Sequence, residues 1–401
     1  GTTLAHAISY LAGRGVRVIN NSWGLEAEGP QARMLDERTR ALYEAQNPVL
    51  VAAYAEAVAR DVLLVFAASN DYRMQVGPEP GIPVLFPEFA RNWLAVTSTG
   101  PDGVRADYAN ACGIAAAWCL TAPGGGDDQE NEGIYSAEAG GRGYVRLSGT
   151  SMAAPTVAGA VALVLEAFPW MSAYNLQQTI LTTARPIGPA EIYGWGMLDA
   201  GRAVQGPARF IEGGFLADLR GHAATFSNDI GGPGGLTVTG RGALTLTGRN
   251  SYAGGTLVTG GATLRIAADS ALGAPGGALT LSAGTLQALA ALSLGRPFLV
   301  ALAGGTVDTN GFEVALAGPI TLDGALAKRG AGELRLLGTV TGTGGLTLGG
   351  GQLRVDGGLH LPSLAVGPHG HLGGTGTIAA PTLLAGVLAP LDGLIAVLLL
   401  L

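Results

Sequence analysis

Apolar residues recur at helical spacing from the first turn of the chain. Leu4, Ile8 and Leu11 lie on one helical face, and Gly13 and Gly15 supply a stop. Residues 16–20 (VRVIN) then predict a short strand, followed by a turn at Asn21-Ser22-Trp23-Gly24. A second helical stretch, residues 51–60, leads into residues 62–69 (VLLVFAAS). That run is continuously apolar, as a strand buried on both faces is. Residues 93–97 and 118–120 predict further short strands. Residues 152–165 carry no charge and predict a buried helix with Pro155 in its first turn. Ser172 is placed to cap a last helix running through Ala184. Strands alternating with helices predict an α/β fold with a parallel sheet.

The pattern changes after that. Residues 206–234 are Gly/Pro-rich and read as a connection. Beyond them, strands of three to five residues are separated by Gly-Gly turns, and Leu alternates with Thr or Arg within the strands. Two segments match each other: GALTLTGRNSYAGGTLVTGGATLRI (242–266) and GELRLLGTVTGTGGLTLGGGQLRV (332–355). One such unit cannot bury its apolar face alone, whereas stacked rungs can. The expectation is an all-β solenoid, a parallel β-helix, in place of a flexible Gly-rich linker. The expected division is a globular domain over 1–205, a linker over 206–234 and solenoid repeats over 235–401.

Composition sharpens the division. All five Trp, nine of the ten Tyr and both Cys fall in residues 1–200, and 44 of the 66 Gly fall in 201–401. The hydrophobic share is 48% against 13% charged, so a large core is required and disorder is excluded. A net charge of −7 excludes the basic surface of a nucleic-acid binder and of a polybasic membrane-surface protein. No G-x-G-x-x-G follows a strand with an acidic partner downstream, which argues against a nucleotide-binding fold. The chain opens on Gly1 without an initiator Met or a signal-peptide pattern. It closes on eight apolar residues, 394–401, where a spanning helix needs about 20.

Gly149-Thr150-Ser151-Met152-Ala153-Ala154-Pro155 precedes the charge-free helix. Ser and Thr are ordinary helix caps. A serine at a helix N-terminus also sits where the dipole favours negative charge developing on a bound substrate. The whole seven-residue string resembles the serine motif of the subtilisin-like peptidases, the subtilases. Other segments fall in that family's order. Residues 18–24 (VINNSWG) resemble the strand and S-x-G turn that binds extended substrate by strand addition. Residues 65–70 (VFAASN) resemble the strand ending in the oxyanion asparagine, residues 121–124 (TAPG) the A-P-G turn, and residues 193–200 (YGWGMLDA) the closing segment. The resemblance implies a subtilisin-like α/β domain with flanking helices, cleaving peptide bonds in protein or peptide substrates. It makes Ser151 the acyl-forming nucleophile, Asn70 the oxyanion donor, and Ser22, Trp23 and Gly24 substrate-binding residues.

The departure from the family is specific. A serine nucleophile needs a base, normally His, and a carboxylate to orient it. The family's D-(S/T)-G and H-G-T-H segments lie upstream of the S-x-G strand, and 17 residues precede Val18 here. His6 lacks the H-G-T-H context and reads as an ordinary helix residue; His222, His360, His369 and His371 lie in the second half. The domain is therefore expected to be incomplete at its N-terminus. The solenoid half resembles the passenger repeats of bacterial autotransporters, with FSNDI (226–230) at its start and LGGTGTI (372–378) and LAP (388–390) later. That resemblance implies a Gram-negative passenger, secreted or held at the cell surface through an outer-membrane barrel absent from this sequence, with a signal peptide in the full-length protein. A non-catalytic adhesin or scaffold is the alternative. Export makes a Cys112–Cys119 disulfide the expectation, since the C-x6-C spacing fits neither a zinc site nor a thioredoxin motif. No cofactor is expected. The acidic run Asp127, Asp128, Glu130 and Glu132 reads as a solvated loop, with calcium as the alternative.

Overall fold

The computed structural model describes residues 2–24, 37–141 and 143–388. It divides into two compact units, Gly1–Val204 and Gln205–Leu401. The apolar tail 394–401, and all of LAP (388–390) except Leu388, lie outside the described residues.

In the first unit α1 (Thr2–Gly13) leads into β1 (Val18–Asn21), and α2 (Glu37–Gln46) and α3 (Pro48–Ala59) lead into β2 (Leu63–Ala67). A short turn, α4 (Pro78–Gly81), precedes β3 (Trp93–Thr99) and then β4 (Cys119–Pro123). The strands form one parallel sheet in the order β1-β2-β3-β4. β2 and β3 are buried at every position, which is why both read as unbroken apolar runs. On one side of the sheet Phe66 stacks on Trp93 at 4.5 Å between ring centroids, with Tyr54 of α3 edge-on to both. A further helical turn, α5 (Gln129–Glu132), and an antiparallel hairpin, β5 (Ile134–Ala137) with β6 (Tyr144–Leu147), come next. The sequence reading contained no such hairpin, because its strands are four residues long and mostly exposed. Its Tyr135 and Tyr144 stack at 5.1 Å, and Arg146 lies over the Tyr135 ring.

The charge-free helix, α6 (Thr150–Ala167), begins two residues earlier than the sequence predicts and ends two later. It packs against all four strands. Its small residues Ala153, Ala154 and Ala160, with Val157, Val161 and Val164, form the buried stripe. Ser172 caps α7 (Ala173–Thr183), its hydroxyl accepting from Asn175 N at 3.2 Å.

The second unit consists of three parallel sheets of nine, nine and six strands. Residues 206–234 are a correction to the sequence reading: they are not a linker but hold β7 (Phe215–Asp218) and β8 (Ala223–Phe226). β7 pairs in register with β9 (Leu236–Thr239), and β8 with β10 (Gly242–Leu246). The Gly/Pro content marks the corners between rungs, where the chain must turn sharply. After β11 (Thr256–Thr259) and β12 (Ala262–Ile266) the rungs repeat to Leu388. Side chains stack in ladders, and Leu244, Leu264, Leu286 and Val307 occupy one inward column. Lys328 is the next member of that column and is fully buried. Its ammonium donates to Gly330 O, Gly332 O and Gly350 O at 2.5–2.8 Å. Burial pulls its pKa down to about 8.

Candidate active site

Two loops and one helix end meet at a cleft of about 220 Å³, lined by Trp23, Gly24, Ala67, Ser69, Asn70, Asp71, Thr150 and Ser151. Trp23 and Gly24 follow β1, and Ala67–Asp71 runs off the end of β2. Thr150 and Ser151 open α6. The parallel sheet brings these ends together because every strand leaves it in the same direction.

Asn70 is held by its amide oxygen. The Thr150 backbone N–H donates to Asn70 Oδ1 at 3.0 Å and the Thr150 hydroxyl donates to the same oxygen at 2.9 Å. With the oxygen so engaged, the Nδ2 donor is left for the cleft. The residue before it, Ser69, has φ +86°, a left-handed conformation that costs a non-glycine residue energy and that clusters at functional loops. Gly77 faces that serine: a Cβ there would stand 2.3 Å from Ser69 Oγ.

Pro155 shapes the helix end around Ser151. It has no N–H, so the Ser151 carbonyl loses the donor four residues on. The Ser22 hydroxyl replaces it, donating to Ser151 O at 2.8 Å. Ser22 thus supports the segment that carries Ser151 through its side chain. Trp23 fixes its indole N–H on Asn21 Oδ1 at 3.1 Å and sets its ring edge-on to Phe66. Behind Ser151, Gly149 N donates to Gly124 O at 2.9 Å, which ties the A-P-G turn to the serine loop. Only glycine fits at 124, where a Cβ would lie 2.6 Å from Gly149 O and 2.2 Å from Ser98 Oγ. Tyr108 O–H clamps the same turn, donating to Gly125 O at 2.6 Å. Burial pushes that phenol up, against the opposing effect of its hydrogen bond with Ser98.

The structure therefore brings Trp23, Gly24, Asn70 and Ser151 to one cleft, with Ser22 beside it. Sequence reading missed Thr150, Ser69 and Asp71 as members. Thr150 is separated from Asn70 by 80 residues, so no local pattern announces the contact. No histidine lines the cleft. His6 is exposed on α1, and the four histidines of the second unit are exposed. Cys112 and Cys119 are joined as a disulfide, with Cα atoms 5.8 Å apart. Asp128 accepts from Asn131 to cap α5, and Asp127 accepts from Asp107 N. Among the described residues no group of three or more His, Cys, Asp or Glu is arranged to hold a metal ion.

Comparison with known proteins agrees with this division. The subtilase family profile matches residues 1–196. The passenger-associated-transport-repeat profile matches residues 236–266 and 326–355. The Neisserial autotransporter lipoprotein NalP of Neisseria meningitidis is 31% identical over 295 residues, which is 63% of this chain and 26% of that protein. An extracellular serine protease of Serratia marcescens is 28% identical over 332 residues, 61% of this chain and 32% of that protein. The chain thus spans at most about a third of the length of these two curated relatives. Among solved structures, the self-cleaved protease domain of PatA is 27% identical, with a TM-score of 0.39 over 51% of this chain and 66% of that one. Residues 1–196 belong to the subtilase family, and passenger-associated transport repeats follow them in the chain.

Proposed function

We propose that the first unit is the nucleophile-bearing part of a serine endopeptidase, exported as an autotransporter passenger whose solenoid belongs to the cell surface of a Gram-negative bacterium. The observation that carries the reading is the Thr150–Asn70–Ser151 arrangement, in which one residue pins the amide oxygen and thereby aims the amide donor into the cleft that Ser151 lines. Ser151 attacks the scissile carbonyl, and Asn70 donates to the oxyanion that forms. The S-x-G segment after β1 presents backbone to an extended protein or peptide substrate. Ser151 needs a histidine base held by an orienting carboxylate, and no histidine lines the described cleft, so the working enzyme is the full natural protein. An outer-membrane barrel completes that protein, and the names of the similar autotransporter and extracellular protease support this placement.

The test is proteolysis by the full natural protein on unfolded protein substrate. Ser151→Ala is expected to abolish it, and Asn70→Ala to lower kcat by roughly 10²–10³, the cost measured for the corresponding donor in subtilisin. Cleavage that survives Ser151→Ala overturns the nucleophile assignment. A full protein that cleaves nothing, while remaining folded and displayed, supports the adhesin or scaffold alternative.

A further inference from the structure

We propose that Asn110 is a positioning residue for the Asn70 amide, holding the backbone on both sides of Asn70 so that its donor faces the cleft; this rests on the endopeptidase reading above. Asn110 is fully buried and stands behind the cleft rather than among its lining residues. Its backbone N–H donates to Ser69 O at 2.9 Å. Its side-chain Oδ1 accepts from Asp71 N at 2.9 Å. Ser69 O belongs to the peptide group before Asn70, and Asp71 N to the peptide group after it. Peptide groups are planar, so holding both planes holds φ and ψ at Asn70, and with them the direction of its Cα–Cβ bond. Thr150 then settles the far end of that side chain at its amide oxygen.

The turn around Asn70 needs such a holder. Ser69 and Tyr72 have φ of +86° and +59°. Residues with side chains persist in that conformation where the surroundings over-determine it. Arg73 N also donates to Asn110 Oδ1, at 3.1 Å, and Asn110 Nδ2 donates to Asp71 Oδ2 at 3.3 Å. Beside these, Tyr72 N donates to Tyr108 O at 3.1 Å and Ala111 N to Arg73 O at 2.8 Å. The polar groups of residues 69–73 are thus gathered on residues 108–111, and Asn110 makes most of the bonds. The residue type matters, because one amide accepts from two N–H groups and donates to a carboxylate, which an aspartate or a leucine does not.

Asn110 is itself anchored. The hydroxyl of Thr97, a fully buried residue of β3, donates to Asn110 O at 2.6 Å. Two residues on, Cys112 is joined to Cys119 at the start of β4. Two residues before, the Tyr108 hydroxyl reaches Gly125 O in the turn behind Ser151. One short segment therefore ties the Asn70 turn to the central sheet and to the support of the serine.

The test is a double-mutant cycle in the full natural protein, read on one peptide substrate. Asn110→Ala is expected to lower kcat by about tenfold or more, though by less than Asn70→Ala itself, and to change KM by less than about threefold. In an Asn70→Ala background the same substitution is expected to lower kcat by less than about threefold, since no amide donor remains to be aimed. Equal losses in the two backgrounds are what a merely structural residue gives, and they overturn the proposal while the endopeptidase reading stands. Thr97→Val keeps the shape of a buried strand position and removes the bond to Asn110 O. It is expected to lower kcat by about threefold only where Asn70 is present, and it carries the cycle where Asn110→Ala does not fold. Hydrogen–deuterium exchange supplies a readout independent of cleavage. In either variant the amides of Asp71 and Arg73 are expected to exchange at least about threefold faster, with those of β2 unchanged. Unchanged exchange at residues 71–73 overturns the proposal. Faster exchange there in a folded full protein without Ser151-dependent cleavage overturns the endopeptidase reading and leaves Asn110 as the holder of the turn.

Discussion

Thr150 donates twice to one oxygen of Asn70, and the oxyanion role proposed for Asn70 depends on that pair of bonds. Thr150→Val keeps the backbone donor and loses the hydroxyl. In the full natural protein it is expected to lower kcat by about tenfold with little change in KM, because the oxyanion contact proposed for Asn70 forms only in the transition state. Steady-state kinetics on one peptide substrate check this split. The sequence motif around Ser151, and the end of the VFAASN strand, singled out two residues that the structure places at one cleft. The bond from Ser22 to Ser151 O was not legible, since it joins residues 129 apart and answers a donor lost at Pro155. Lys328 was equally hidden, because nothing local in the sequence marks a lysine inside a four-residue strand as buried. Its folded pKa of about 8 lies below its ordinary value of 10.5, and that sets a direction. Below pH 8 the amine is charged folded or unfolded, and the burial penalty is full. Between about 8 and 10.5 the unfolded chain holds a proton that the folded chain has released, so stability rises with pH, by roughly 2–3 kcal/mol across the window. Denaturant titration of the solenoid at pH 7.5 and pH 10 checks this, and the Lys328→Met chain should lack that increment.

At the scale of elements, the buried strands and α6 were legible because continuous apolar runs leave few alternatives. The hairpin β5–β6 and the first rung were not. Four-residue strands with exposed faces resemble loops, and the rung made by β7 and β8 is recognisable only from the pairing it makes with β9 and β10. A different device organises the excursion at residues 267–277 of the solenoid. Arg296 is 1% exposed, and its guanidinium donates to five carbonyls, those of Asp269, Leu272, Gly273, Ala274 and Gly277, besides pairing with the Asp269 carboxylate at 2.6 Å. Removing it leaves those carbonyls and one carboxylate without their partner. Arg296→Met is expected to cost about 3–5 kcal/mol in the urea unfolding of the solenoid unit. The corrected boundary also sets the fragment to use. Residues 205–388 should give a β-rich circular dichroism spectrum and a cooperative melt, whereas a fragment starting at residue 235 lacks the first rung's strands and exposes its neighbour's edge.

The whole chain was legible as two compositions, and those compositions predict different responses to reduction. Both cysteines belong to the first unit and are joined there, so the second unit has no thiol chemistry. A reducing agent is expected to lower the melting transition of the subtilase unit, by about 2–3 kcal/mol for a loop of this length, and to leave the solenoid transition in place. Scanning calorimetry with and without reductant checks it. The in-register columns of the solenoid carry a further consequence, for how such a protein can change length. Gly284 pairs with Gly305, and Gly305 with Leu326, so one turn of the winding occupies 21 residues at that point. Excising 305–325 removes a complete turn and sets Leu326 where Gly305 stood, with every later inward position still inward. Excising a single residue from the same strand exchanges inward for outward along the rest of that strand. The shortened chain with the whole turn removed should melt cooperatively, and the chain lacking one residue should not. Insertion and deletion are then accepted in steps of a turn, so variants of this chain can differ in reach by whole layers while each layer keeps its own packing.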